Sequence, residues 1–337
     1  MRKILTIALL GLVLGGLTAC KKNNPSGPVT NNYYTNPAPV TALDPAIGRD
    51  WYQALGTSPF TARSSHGCVA YNDKLWVLGG YNGGPRNDVW SSLNGVQWTQ
   101  AAAGVTFTDR TGSGAVSFNG KLWVMGGTGD SANAMGYTWS SPDGATWTPS
   151  TGGAATFTGR SGFGSAVYNG KIWVVGGQDC CDDLSDVWSS ADGVSWTRVT
   201  ADGGFLKRNY CGLTAFNGAL WLIGGHTNAG GPDLLNDVWT STDGAHWTQV
   251  TGFAEFTPRS GAVVLAYQNR LWILSGFDGT NYLNDVWSSA DGQIWFPATA
   301  AAAFPIRYDA AGAVFNNRMW LTGGSNGGPL NSVWFSP

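Results

Sequence analysis

An all-β fold, a six-bladed β-propeller whose ring is closed by its own N-terminal strand, is predicted by three observations in this 337-residue chain. An arginine recurs as Arg63, Arg110, Arg160, Arg208, Arg259 and Arg307, at steps of 47, 50, 48, 51 and 48 residues. A glycine pair recurs as Gly79-Gly80, Gly126-Gly127, Gly176-Gly177, Gly224-Gly225, Ser275-Gly276 and Gly323-Gly324. A tryptophan follows Val or Thr at Trp90, Trp139, Trp188, Trp239, Trp287 and Trp334. Six units with a period near 50, rich in glycine and short apolar runs, are the signature of a radial array of small sheets.

Each unit reads as four strands, and the third unit shows them most clearly. "GSAVYN" is the first strand and "KIWVVGG" the second, separated by Asn169-Gly170. Asn-Gly is the chemistry of a tight hairpin, and Asn72-Asp73 and Asn316-Asn317 take its place elsewhere. Consecutive apolar residues such as Val174-Val175 suit a strand covered on both faces. "DVWSS" is the third strand, and an "ADG" turn leads to a fourth around "SWT".

The fourth-strand tryptophans are Trp98, Trp147, Trp196, Trp247 and Trp295, five for six units, because the sixth unit stops at "SVWFSP". Four of the five stand 12 residues before the next arginine, and Trp51 stands 12 before Arg63. Asp50 to Leu55 therefore supplies the missing last strand, which removes an exposed sheet edge. All 18 tryptophans then fall on repeat positions, three per blade.

These markers resemble the kelch repeat, with its diglycine after the second strand and its later aromatic and tryptophan, from about Trp51 to Pro337. Kelch repeats usually place six residues between those two aromatics, whereas here there are seven, as from Trp188 to Trp196. The extra residue lies in an "SxDGxxW" turn that partly resembles the Asp-box of sialidase-type propellers, and it reads as a well-formed turn. The resemblance implies partner binding on the face of the longer loops, around the central channel. Those loops do differ from blade to blade, as variable binding loops on a rigid scaffold do.

Six arginines enter the innermost strands at that face. The pattern predicts that four pair with third-strand aspartates (Asp88, Asp186, Asp237 and Asp285). Arg110 and Arg307, whose blades carry Tyr137 and Ser332 instead, are left for a ligand. Residues that break the repeat are the other binding candidates: His66 after Ser65, Tyr210 after Asn209, and Tyr308-Asp309 near the channel mouth, with Asn82, Arg86, His226 and Tyr282 from the long loops. This mixture of aromatic faces and neutral polar groups suits a sugar or a peptide. No catalytic constellation can be named. The three histidines do not match a galactose-oxidase-type copper centre, and Glu255, the sole glutamate, has no sialidase motif around it. A sugar-acid epimerase, known among six-bladed kelch-like envelope proteins, is the alternative enzymatic expectation, and a structural role in an envelope assembly is a third. No cofactor is implied.

The N-terminus carries Arg2 and Lys3, an apolar run and then Leu17-Thr18-Ala19-Cys20, which resembles the lipobox of bacterial lipoproteins. The expected organisation is a signal peptide over 1–19, a lipidated Cys20 with an Asn/Pro/Thr-rich tether over 20–45, and the propeller over 46–337. Such a chain is exported and held by its acyl groups on a bacterial membrane, the outer one by the residues after Cys20, facing the periplasm or the cell surface. Without the signal, 17 basic residues face 21 acidic ones, which argues against a nucleic-acid partner. The remaining Cys68, Cys180, Cys181 and Cys211 are disulfide candidates in an oxidising compartment. A Cys180-Cys181 bridge or a link from either to Cys211 are the pairings in view. "DCCDD" lacks the spaced ligand set of a metal site.

Overall fold

Six four-stranded antiparallel sheets follow one another along the chain, in a computed structural model that describes residues 44–102, 105–130, 133–150, 157–228 and 233–337. The expected signal peptide, Cys20 and nearly all of the tether lie outside the described residues. β1 (Tyr52–Leu55) precedes the first blade, which is β2 (Gly67–Tyr71), β3 (Lys74–Tyr81), β4 (Pro85–Ser92) and β5 (Trp98–Ala102). The second is β6 (Gly114–Phe118), β7 (Lys121–Met125), β8 (Thr138–Ser141) and β9 (Thr148–Pro149). The third is β10 (Gly164–Tyr168), β11 (Lys171–Val175), β12 (Val187–Ser190) and β13 (Thr197–Thr200). The fourth is β14 (Gly212–Phe216), β15 (Ala219–His226), β16 (Leu234–Ser241) and β17 (Thr248–Thr251). The fifth is β18 (Val263–Tyr267), β19 (Arg270–Phe277), β20 (Tyr282–Ser289) and β21 (Phe296–Thr299). The sixth is β22 (Ala311–Phe315), β23 (Arg318–Thr322) and β24 (Val333–Ser336), completed by β1. The first strands β2, β6, β10, β14, β18 and β22 each touch the next, and β22 touches β2, so the ring closes.

Closure reproduces the chemistry of an unbroken blade. β1 pairs with β24 in the register Tyr52↔Phe335 and Gln53↔Trp334. Trp51 is buried, donates its Nε1–H to Gly48 O at 2.9 Å, and stands edge-on to Phe304 at 5.0 Å. In the first blade Trp98 does the same with Gly95 O at 3.0 Å and Phe60 at 5.2 Å. Even the turn is rebuilt from the two chain ends: Gly48 N donates to Ser336 Oγ across 288 residues, as Gly95 N donates to Ser92 Oγ within one hairpin.

That turn also locks neighbouring blades. The turn glycine adopts positive φ and lies flat on the second-strand tryptophan of the preceding blade. A Cβ on Gly144 would come within 2.1 Å of the Trp76 ring, and one on Gly48 within 2.0 Å of Trp272. The "SxDG" segment is thus both a turn and a blade-to-blade contact. Asp143 stabilises it by accepting from the amides of Ala145 and Thr146, and these bonds hold the carboxyl below its ordinary range.

The expectation that the glycine pair ends the second strand holds in blades two, three and six. In blades one, four and five the pair is a bulge, and β3, β15 and β19 continue to Tyr81, His226 and Phe277. Two successive positive-φ residues shift the register without breaking the ladder. The continued hairpins carry His226 and Tyr282 at the ends of their strands, on the loop face.

Candidate functional site

The residue two positions after each repeat arginine lies on the propeller axis. These six are Ser65, Gly112, Gly162, Tyr210, Gly261 and Asp309, and all have φ between 46° and 63°. Their peptides form a closed circle. Gly112 N donates to Ser65 O, Gly162 N to Gly112 O, Tyr210 N to Gly162 O, Gly261 N to Tyr210 O, Asp309 N to Gly261 O and Ser65 N to Asp309 O. Every amide donor in the circle is satisfied within it.

Left-handed backbone favours glycine, and a residue with a Cβ there costs on the order of 1–2 kcal/mol. Three blades nevertheless carry Ser65, Tyr210 and Asp309 at this position. Gly162 and Gly261 flank Tyr210 and make room for the larger side chains. A Cβ on Gly261 would meet Asp309 Oδ1 at 2.3 Å, and one on Gly162 would lie 3.4 Å from the Tyr210 ring.

Side chains from this circle and the residues after it line an axial cavity of about 160 Å³, among them Ser65, His66, Tyr210, Cys211 and Asp309. A second hollow of about 320 Å³ adjoins it, lined by Gln178, Asn209, Tyr210, His226, Asn228, Ser260, Tyr308 and Asp309. Tyr282 stacks on Tyr308 with ring centroids 5.0 Å apart and planes 7° apart, and Phe277 packs beside both.

The polar groups of the site are hydroxyls, amides, imidazoles and the Asp309 carboxylate. His66 shares a hydrogen bond with Thr322 Oγ1 at 2.9 Å through Nε2, and its second ring nitrogen is Nδ1. That atom is buried without a partner. Burial, reinforced by the Arg63 charge, pushes the imidazole down to about 3, so the ring is neutral. Asp309 Oδ2 accepts from Ser65 Oγ at 2.9 Å. Burial raises this carboxyl to about 6, against the partial relief from the Ser65 bond. Asn209 Nδ2 donates to Asp183 Oδ1, and Asn209 Oδ1 is buried without a partner. Burial, the Asp309 charge and Tyr308 push the Tyr210 phenol up to about 12, which keeps it a donor at neutral pH. None of the residues lining either hollow is a lysine or an arginine.

Comparison with known families supplies an independent observation. The sequence profile described as the DUF6242 beta propeller domain matches residues 94–216 and again 213–336. The chain belongs to this family. The kelch motif also matches, over residues 62–96, and no curated protein matches the chain. The kelch-repeat propeller expected from the sequence is therefore the fold of this DUF6242 chain.

Within this propeller the sequence-derived candidates separate into three groups. His66, Tyr210, His226, Tyr308 and Asp309 converge on the two adjoining hollows, and Tyr282 joins them through its stack on Tyr308. Asn82 and Arg86 line neither; Arg86 Nη2 reaches back to Asn82 O at 3.4 Å. Arg110 and Arg307, expected to be available to a ligand, line neither hollow and are fully buried. Each is held under its own loop: Arg110 by Thr108 O, Thr108 Oγ1 and Gly126 O, Arg307 by Pro305 O, Gly323 O and Ser332 Oγ. Desolvation lowers both to about 10. The four expected arginine–aspartate pairs are present, from Arg63–Asp88 at 2.7 Å to Arg259–Asp285 at 2.6 Å.

The four described cysteines are unbridged in this structure, with Cys180 Sγ and Cys181 Sγ 3.0 Å apart. Cys68 lies on β2 and Cys211 immediately before β14, and burial pushes their thiols up to about 12 and 11. Cys180 and Cys181 are exposed in the loop of blade three, so the staple to Cys211 is not made. Glu255 has a structural part: its carboxylate accepts from Trp295 N at 2.8 Å. Gln178, Asn228 and Asp183 escaped the sequence reading. Asp183 looked like one more acid in "DCCDD", yet it is buried and holds both Asn209 and the amide of Asn228.

Proposed function

We propose that this propeller captures a neutral carbohydrate over its axial cavity, while an acylated Cys20 holds the protein to the bacterial outer membrane. The observation that carries the reading is the occupation of three left-handed axial positions by Ser65, Tyr210 and Asp309, where glycine serves in the other blades. Strained backbone retained at a cavity suits side chains kept for contact. The polar side chains of Tyr210, His226, Asn228 and Asp309 that line the hollows suit a ligand with several hydroxyl groups, and the stacked Tyr282–Tyr308 pair offers a flat apolar face for a sugar ring. The lack of lysine or arginine among the lining residues favours a neutral sugar over a sugar acid, which also weakens the sugar-acid epimerase reading.

A glycan array probed with the purified protein, followed by titration calorimetry, tests this. Binding of neutral glycans, lowered at least about tenfold by Tyr308→Ala or Tyr210→Ala in variants that melt like the parent, is the expected result. Binding confined to anionic glycans, or left intact by both substitutions, overturns it.

A further inference from the structure

Four blades share one buried arrangement around the third-strand aspartate. Asp88 Oδ1 accepts from Arg63 Nη1 at 2.8 Å, and Oδ2 accepts from Arg63 Nη2 and Trp90 Nε1, both at 2.7 Å. Asp186, Asp237 and Asp285 receive the same three donors from Arg160 and Trp188, Arg208 and Trp239, and Arg259 and Trp287. The carboxylate thus balances a guanidinium that is wholly out of water.

The sixth blade keeps the donors and lacks the carboxylate. β24 pairs with β23 in the same register, Leu321↔Trp334, that β4 uses against β3, Val77↔Trp90. Ser332 stands where Asp88 stands. Arg307 is fully buried, and its Nη2 donates to Ser332 Oγ at 3.1 Å. Trp334 is buried and its Nε1–H has no partner. Phe304 lies 5.5 Å from the guanidinium, but a phenylalanine lies equally close in every blade and balances nothing peculiar to this one. Arg307 is lowered to about 10 by burial alone, with no carboxylate acting on it. In the second blade Trp139 Nε1–H is likewise without a partner, but there the Tyr137 ring lies 5.4 Å from the Arg110 guanidinium, whereas the sixth blade has only the small Ser332 at that position.

We propose that the sixth blade holds a small monovalent anion, chloride in a salt-containing medium, between Arg307, Ser332 and Trp334, where the other blades hold an aspartate carboxylate. Serine is shorter than aspartate by two heavy atoms, the room of one small ion. Guanidinium, indole N–H and hydroxyl are all donors, so the position suits an anion and repels a cation. Because Arg307 is out of water, the anion is a structural component of the blade, separate from ligand capture at the axis.

The test is thermal unfolding of the purified protein, with sodium chloride replacing sodium gluconate at constant ionic strength. Gluconate is too large to enter, so the midpoint of the parent is expected to rise with chloride. Ser332→Asp supplies the carboxylate internally and is expected to unfold independently of chloride, at or above the parent midpoint in high chloride. A parent that melts identically in both salts, or a Ser332→Asp variant with the parent's chloride response, overturns the proposal. Should that variant not fold, crystals of the parent grown in bromide decide. An anomalous peak beside Arg307 and Trp334 supports the site, and water or no density there overturns it.

Discussion

Trp51→Ala is the sharpest perturbation of the closed ring. The indole is 5% exposed, donates one hydrogen bond to Gly48 O and meets Phe304 edge-on at 5.0 Å. Truncating a buried tryptophan costs about 3–5 kcal/mol, the aromatic pair and the hydrogen bond being part of that loss. Trp98→Ala is the internal control, because Trp98 makes the same contacts within a continuous blade. If the N-terminal strand completes the sixth blade as fully as β5 completes the first, the two variants should agree to within about 1 kcal/mol. For a domain this large each kcal/mol moves the midpoint by about 2 °C, so both should melt roughly 6–10 °C below the parent. Urea unfolding followed by tryptophan fluorescence, with calorimetry for the midpoint, measures this. A loss below about 1 kcal/mol for Trp51→Ala beside a full loss for Trp98→Ala would show that the terminal strand is merely laid on the ring, and the closure argument would fail.

Other outcomes follow from the same geometry. Gly144→Ala should destabilise more than Gly120→Ala by about 1–3 kcal/mol in urea: both have positive φ, but only at Gly144 does the new Cβ strike a neighbouring blade's tryptophan. Equal losses would mean that the turn glycine is kept for its backbone alone. Asp237→Ala leaves Arg208 buried and uncompensated, and should cost about 3–5 kcal/mol; a cost near zero would remove the ion pairs from the account of blade stability. Asp309 has its folded carboxyl raised to about 6, so the folded state binds the proton more tightly than the unfolded chain does. Its contribution is fully present below the ordinary carboxylate value and is lost as pH rises through 6. The difference in stability between the parent and Asp309→Asn should therefore change between pH 4 and 6 and stay flat above pH 7; a difference constant across that window contradicts the assignment. Removing residues 46–57 should abolish cooperative unfolding, and a truncated protein that melts like the parent would refute ring closure by β1.

Much of the architecture was legible in the sequence because a repeat is a local property of the chain. Spacing alone counted six blades, matched Trp51 to the fourth-strand position and paired four arginines with four aspartates. The same symmetry argument went only part of the way at Arg110 and Arg307. It recognised that their partners were missing but had no means of telling that the arginines are wholly buried under their own loops, away from the axial hollows. The site residues were found as breaks in the repeat, yet nothing in the spacing separated His66, Tyr210 and Asp309 from Asn82 and Arg86. Asp183 was missed because one buried acid in a run of acids carries no pattern.

The sequence by itself determined the number of blades, the strand order and the way the ring closes, since period, turn chemistry and apolar alternation all act over a few residues. Only the tertiary structure decided what stands on the axis. Ser65, Tyr210 and Asp309 are separated by about 100 residues or more, and they are neighbours of one cavity because six backbone hydrogen bonds bend the chain into a circle. Burial is likewise a property of the assembled ring. It shuts Arg307 away from the axial hollows, holds His66 neutral and raises Asp309, and none of these follows from residue type or spacing.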